Sequence, residues 1–275
     1  MKSLLLMARK EIQEGLRNRW VLATTLLMAA LALTLTFLGS APTGNVGAGR
    51  LDVVIVSLSS LTIFLVPLIA LLISHDAVVG EMERGTMLLL LSYPIARWQV
   101  MLGKFVGHLA ILAFATLIGY GAAVLALIAT GTDIGAASWS AFLVMIASSI
   151  LLGAVFVAIG YLVSAMVGER GTAGGIAIGI WLLFVLIYDT ALLGLLVFDQ
   201  GQTVTAGLLN ALLLLNPTDA YRLLNLGSGS VRDLAGMSGV AEDTALAPAV
   251  LVTALALWAL IPLSAATMVF SRREL

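Results

Sequence analysis

Apolar residues fall into six long runs along the chain, and polar segments separate them. Each run can cross the roughly 30 Å of hydrocarbon in a bilayer, which takes on the order of 20 helical residues. The predicted spans are residues 20–38, 53–74, 105–130, 139–167, 173–198 and 248–270. The pattern therefore predicts an all-α integral membrane protein with six transmembrane helices, formed as one domain over residues 1–275.

The segment 1–19, before the first run, has a helical rather than a continuous apolar pattern. One face carries Leu5, Ala8, Ile12 and Leu16, and the rest of the helix carries Lys2, Arg9, Gln13 and Arg17. This spacing predicts an amphipathic helix that lies in the cytoplasmic membrane interface. The alternative is a solvated, positively charged flank of the first span.

The longest outer segment, residues 199–247, is predicted to be periplasmic and precedes the last span. Its apolar part, residues 204–215, is too short to cross a bilayer, so it predicts a re-entrant or interfacial helix that stops before Pro217. The GSGS sequence at residues 227–230 predicts a flexible turn.

Composition supports the membrane class, because 61% of the 275 residues are hydrophobic and 11% are charged. Soluble domains carry about 25% charged residues. The chain has no cysteine, which excludes disulfides, thiolate metal sites and cysteine nucleophiles. With both termini inside, the inner segments hold eleven of the 14 Lys and Arg residues, so the positive-inside rule predicts an N-in, C-in topology.

The connection between the second and third predicted spans, residues 75–104, is rich in both acids and bases. Glu81 and Arg84 lie three residues apart on one face of a short predicted helix, 78–86, with Gly80 and Gly85 as its breaks. The segment is either a docking surface for a partner or a solvated loop that only joins two helices.

The residues of this connection resemble the signature of ABC-2 type permeases. The matching positions are Asp76, Glu81, Glu83, Arg84, Gly85, Thr86, Leu91, Ser92, Pro94, Arg97, Lys104 and Phe105. The resemblance implies that residues 75–104 contain a coupling helix bound by a separate cytoplasmic ATPase, with Glu81, Glu83, Arg84, Gly85 and Thr86 as its contacts. It also implies that ATP and Mg²⁺ bind to that ATPase. This chain contains no P-loop, so we expect it to be no enzyme and to hold no cofactor.

The sequence LLNPTDAYRLLNLGSGS at residues 214–230 carries a narrower resemblance. It is similar to the permease subunits of ABC transporters that support copper-site assembly of nitrous oxide reductase. That resemblance implies a homodimer in the bacterial inner membrane, a cytoplasmic ATPase and a periplasmic accessory protein. An ABC-2 exporter of another small substrate remains the alternative within the family.

Asp189 is the one acid inside an otherwise apolar run, and intramembrane acids are costly and often functional. It is either the proton site of a secondary transporter or a structural acid bonded to Tyr188 or a neighbouring helix. An intramembrane enzyme is a third class, but His108 is the only intramembrane histidine and no G-x-S-x-G motif occurs. Neither His75 nor His108 has a soft metal ligand at a suitable spacing, which predicts that no copper passes along this subunit and that it holds no metal.

Overall fold

The computed structural model describes residues 2–17, 19–38, 50–132, 134–199, 204–226 and 246–273. These residues form helices joined by turns and short loops, and none of them forms a strand. The helices are α1 Lys2–Arg17, α2 Arg19–Leu38, α3 Arg50–Ser74, α4 Val79–Glu83, α5 Thr86–Leu91, α6 Arg97–Ala129, α7 Ala136–Met166, α8 Arg170–Leu182, α9 Tyr188–Asp199, α10 Ala206–Leu215, α11 Pro217–Leu226 and α12 Pro248–Arg272. A π-helix, Leu183–Ile187, joins α8 to α9.

In the described part of the chain, five helical segments are long and apolar enough to cross a membrane by themselves. They are Leu51–Glu83, Arg97–Ala129, Ala136–Met166, Arg170–Asp199 and Pro248–Arg272. The first predicted span coincides with α2. This helix is long and apolar enough to cross a membrane only when it is counted together with α1, and the two helices meet at a bend of 67°. The prediction of an all-helical membrane protein is therefore confirmed, with five such segments, or six if the bent pair forms one span.

The third predicted span begins earlier than its hydropathy suggested. The helix α6 starts at Arg97 instead of residue 105, directly after Ala96 in an extended conformation. The side chain of Gln99 accepts a hydrogen bond from the Ala96 amide and so satisfies one backbone donor outside the helix. Lys104 consequently lies on a transmembrane helix and not in the preceding connection.

The amphipathic helix α1 packs along the first half of α6. Met7 and Ala8 are buried, whereas Leu5 and Leu16 are exposed, so the predicted apolar face is only partly the packed one. Glycines in α6 permit the close approach, since a Cβ at Gly103 would lie 2.6 Å from the Met7 Cβ. The apolar residues of α1 thus divide into a buried group that packs on α6 and an exposed group.

Arginine side chains gather several helix ends at one side of the bundle. Arg97, at the start of α6, donates to the carbonyl oxygens of Phe270 at 2.9 Å and Arg273 at 2.6 Å. Arg273 in turn donates to the Ala165 carbonyl at 2.8 Å, at the end of α7. These bonds satisfy carbonyl groups that helix C-termini leave unpaired. We call this side the α4–α5 end and the opposite side the α10–α11 end.

Helices α10 and α11 lie at the opposite side of the bundle. α10 ends at Leu215, as predicted, and is too short to span a bilayer. Pro217 then begins α11, because a proline has no amide to leave unpaired in the first turn of a helix. Every residue of α11 except Arg222 is buried, so this part of the segment 199–247 is core rather than aqueous loop. The predicted GSGS turn lies outside the described residues.

Candidate functional site

The connection predicted to bind an ATPase forms two short helices, α4 and α5. Gly85 separates them with φ +70°, a left-handed conformation that glycine adopts without a steric penalty. Gly80 lies inside α4, so the prediction of a break at that position is wrong. The connection is therefore a structured helical hairpin and not a loop.

A buried ion cluster holds α4 against the rest of the bundle. The ammonium of Lys104 on α6 lies 2.8 Å from Glu11 Oε1 on α1 and 2.7 Å from Glu81 Oε1 on α4. Lys104 is only 2% exposed, and both glutamates are buried. A lysine at such burial requires charged or hydrogen-bonded partners, because an unpaired buried charge is very costly. The ammonium nitrogen of Lys104 therefore connects α6 to both α1 and α4.

Two further side chains extend this cluster. Lys10, on the exposed edge of α1, lies 3.8 Å from Glu81 Oε1. His108, one turn beyond Lys104, places Nε2 3.8 Å from Glu11 Oε2 and Nδ1 2.7 Å from the Tyr161 hydroxyl. The histidine is thus tied into the contact between α6 and α7.

The first turn of α4 is fastened to α7. The Ser164 hydroxyl oxygen accepts hydrogen bonds from the amides of Val78 at 3.0 Å and Val79 at 3.1 Å. These amides start the short helix and have no carbonyl partner within it, so a side-chain acceptor replaces the missing bonds. One serine on a membrane span therefore fixes the start of the hairpin.

The start of α8 is attached to the same region through Arg170. Its backbone amide donates to Glu83 Oε1 at 2.8 Å, and its guanidinium lies 3.0 Å from Asp76 Oδ2. Four helices, α1, α6, α7 and α8, consequently hold the hairpin by charged or polar bonds.

The predicted ATPase contacts divide into two groups in the structure. Glu83, Arg84 and Thr86 are exposed and Gly85 is partly exposed, whereas Glu81 points inward to Lys104. Glu81 and Arg84, which share a face in the sequence, do not pair in the described structure. Beside them, α5 exposes Leu88 and Leu89, and Tyr93 follows. The accessible surface of the hairpin is thus Glu83 to Thr86 together with this apolar patch.

Two cavities adjoin the ion cluster. One, of about 500 Å³, lies between α1 and the hairpin and is lined by Lys10, Glu14, Arg84, Thr86, Leu89, Leu90 and Tyr93, with Glu81 at its base. The other, also about 500 Å³, reaches inward and includes His75, His108, Asp76 and Glu11. No three His, Asp or Glu side chains in the described ranges come together as a metal site.

Asp189 belongs to a second polar cluster at the α10–α11 end. Arg222 of α11 donates from Nη2 to Asp189 Oδ2, and from Nη1 to Asp219 Oδ1 at 2.7 Å. Burial raises the pKa of the Asp219 carboxyl, Arg222 lowers it, and Asp189 raises it again, leaving a pKa of about 7. Of the two predicted readings, this arrangement matches an acid bonded to a neighbouring helix.

Sequence reasoning missed the roles of Lys104, Ser164, Asp219 and Arg222. The role of Lys104 could have been predicted, since it stands at the beginning of an apolar run and a cation buried there requires a partner. Asp219 and Arg222 lie three residues apart, which is helical spacing, inside a segment assigned to an aqueous loop. Ser164 had no signal, because a serine in an apolar run ordinarily bonds within its own helix.

Comparisons with known proteins identify the family of the chain. Residues 5–275 match the family described as "ABC-2 family transporter protein". The chain is 48% identical over 269 residues to the "Probable ABC transporter permease protein NosY" of Pseudomonas aeruginosa, covering 98% of each chain. It is 49% identical over 272 residues to the protein of the same description from Stutzerimonas stutzeri, covering 97% of each chain.

Proposed function

The chain belongs to the ABC-2 family of transporter proteins, and from that premise we propose that its α4–α5 hairpin binds a separate cytoplasmic ATPase and passes ATP-driven movement to the membrane helices. The chain is the permease subunit of an ABC transporter, as the two similar proteins indicate. Family membership separates it from the secondary transporters and intramembrane enzymes considered above.

The observation that supports this proposal is the Lys104 cluster. A partner that pushes on the exposed side of α4 acts on a helix bonded to α6 through Lys104 and to α7 through Ser164. Because the bonds at Lys104 are buried, the surrounding low dielectric makes them stronger than surface ion pairs. A displacement of the hairpin is therefore carried into two spans and α1 together, without a flexible joint.

The proposal is tested by charge reversal at the exposed part of the hairpin. Arg84→Asp should release the ATPase subunit from the purified complex, because Arg84 is exposed at the cavity between α1 and the hairpin and its side chain makes no bond that the fold requires. Arg9→Asp is the matched control, since it makes the same charge change on the exposed side of α1. Glu81→Lys is unsuitable, because it would place a second cation beside buried Lys104.

Co-purification of the ATPase at the parent ratio with Arg84→Asp, together with unchanged ATP hydrolysis, would contradict the docking role. Loss of the ATPase with both variants would also contradict it, because the effect would then follow net charge rather than the hairpin. Loss with Arg84→Asp alone supports it.

A second copy of the chain is the further partner in this proposal. Among the five described segments that can cross a membrane alone, Arg170–Asp199 is the least buried by the rest of the chain, with 6% of its most apolar window buried. Gly171, Gly175 and Gly179 recur every four residues there, and an added Cβ at each would meet open space. Such small-residue spacing lets two helices approach closely in a membrane. The exposed glycine face of α8 therefore supports a homodimer.

The narrower part of the proposal concerns the process that the transporter serves. The resemblance of residues 214–230 favours a complex that supports copper-site assembly of nitrous oxide reductase, with a periplasmic accessory protein at the α10–α11 end. In this arrangement the protein lies in the inner membrane with both termini inside. The exporter of another small substrate is the alternative, and deletion of the gene with measurement of copper in the reductase separates the two.

A further inference from the structure

Two carboxylates share one guanidinium at the α10–α11 end. Arg222 donates to both Asp189 and Asp219. The second oxygen of Asp219 accepts from Asn216 Nδ2 at 3.0 Å, whereas Asp189 Oδ1 is buried and has no hydrogen-bond partner. Tyr188 is the further titratable group beside the carboxylates, and its hydroxyl donates to the Leu212 carbonyl.

The charges of this cluster do not balance without a proton. Two ionised carboxylates and one guanidinium carry a net charge of −1, and the Asp219 side chain is only 2% exposed. An uncompensated charge at that burial is costly, and two neighbouring carboxylates relieve the cost by holding one proton between them.

The cluster stands at the junction that fastens α11 to the fifth span. The π-helix turn leaves the Phe184 carbonyl oxygen available, and it accepts from Asn216 Nδ2 at 3.0 Å and Thr218 Oγ1 at 3.1 Å. The bond from Arg222 to Asp189 adds the next attachment along α11. Asn216 therefore contacts both the π-turn and Asp219, which links the proton-bearing pair to the docking of α11.

We propose that Asp189, Asp219 and Arg222 form a proton-dependent latch that holds α11 on the π-turn of the fifth span. With one proton bound, the cluster is neutral and α11 is docked. When the proton leaves, the docked arrangement carries an excess buried charge that is relieved as α11 separates and Asp219 meets water. Because the docked state binds the proton more tightly than the open state, a rise in pH favours opening.

The latch is tested by cysteine accessibility, for which the parent chain has no native thiol. Leu224→Cys reports on buried α11, and Leu215→Cys, on the exposed end of α10, corrects for the pH dependence of the thiol reaction. Both are labelled with a maleimide in full-length chain in lipid nanodiscs. The corrected rate should rise up to about tenfold per pH unit from about pH 5 and level off above about pH 7.

Removal of either carboxylate should abolish this dependence. With Asp219→Asn or Asp189→Asn, one carboxylate faces one guanidinium and the proton is no longer needed, so the corrected rate should be flat over the same range. Asp52→Asn is the matched control, because Asp52 accepts from Ser138 and lies outside the cluster. It should retain the parent profile.

A flat profile in the parent background would overturn the latch, as would an unchanged profile in either Asp189→Asn or Asp219→Asn. If Leu224→Cys does not yield folded protein, Leu226→Cys at the buried end of α11 carries the same measurement and the same criteria.

Discussion

The Lys104 ammonium on α6 lies 2.7 Å from the Glu81 carboxylate on α4, and both groups are buried. Glu81 stands beside the exposed residues of the hairpin, and Lys104 belongs to a membrane span. This ion pair is thus a buried connection between the hairpin that carries the proposed docking surface and the transmembrane bundle.

Loss of the Lys104 charge should strongly destabilise the protein. Lys104→Met leaves Glu11 and Glu81 buried without their cation, which costs about 3–5 kcal/mol for a broken buried pair. Thermal unfolding of the purified chain measures the effect. Lys10→Met, at a half-exposed site 3.8 Å from Glu81, should change the free energy of unfolding by less than about 1 kcal/mol.

The triple variant Lys104→Met, Glu11→Gln, Glu81→Gln separates charge from packing. It removes both uncompensated carboxylates, so it should recover much of the stability that Lys104→Met loses. It should nevertheless weaken the proposed coupling of ATP hydrolysis to movement of the membrane helices, because the charge-assisted bonds are replaced by weaker ones. Equal stability of the single and triple variants would argue against an ionic role.

Ser164→Ala should loosen the start of α4. The substitution leaves the amides of Val78 and Val79 without their acceptor, at a cost of about 1–3 kcal/mol for a buried unsatisfied donor. Hydrogen exchange at these two amides should accelerate, and thermal stability should fall. Ser271→Ala, whose hydroxyl bonds only within its own helix end, is the control and should have little effect.

The proposed homodimer predicts disulfide formation across the glycine face of α8. Gly175→Cys should crosslink under mild oxidation in membranes, because the same face of both copies meets at a two-fold axis. Ile261→Cys, on the exposed side of α12, is the matched control. Crosslinking at Ile261→Cys in place of Gly175→Cys would move the interface to another face.

Copper should not travel along this subunit. His75 belongs to no group of three His, Asp or Glu side chains that could hold a metal ion in the described ranges, so His75→Gln should leave the copper content of nitrous oxide reductase unchanged. Leu in place of Met28, Met145, Met166 and Met268 should also preserve it, since this exchange roughly conserves side-chain volume and removes only the thioether. Loss of copper from the reductase, while the complex still assembles and hydrolyses ATP, would restore a metal pathway through the chain.

The sequence by itself determined the membrane class, the places of the apolar helices and the family. The length of an apolar run is a local property of the sequence. The five segments that are individually long enough to cross a membrane could therefore be predicted without knowledge of the packing. A short helical element over residues 78–86 was also predicted from the charges and glycines between two apolar runs, and the structure forms α4 and the start of α5 there.

Only the tertiary structure decided which polar residues act together. Glu11, Glu81 and Lys104 are far apart in the sequence, and their pairing depends on how α1 and α4 pack on α6. The same holds for Asp189 and Arg222, which meet because α11 is buried against the π-turn. Glu81 looked like a surface contact because helical periodicity identifies the face of a helix but not the neighbour that this face meets. These polar residues form specific ion pairs because packing buries them next to one another, and packing depends on the whole fold.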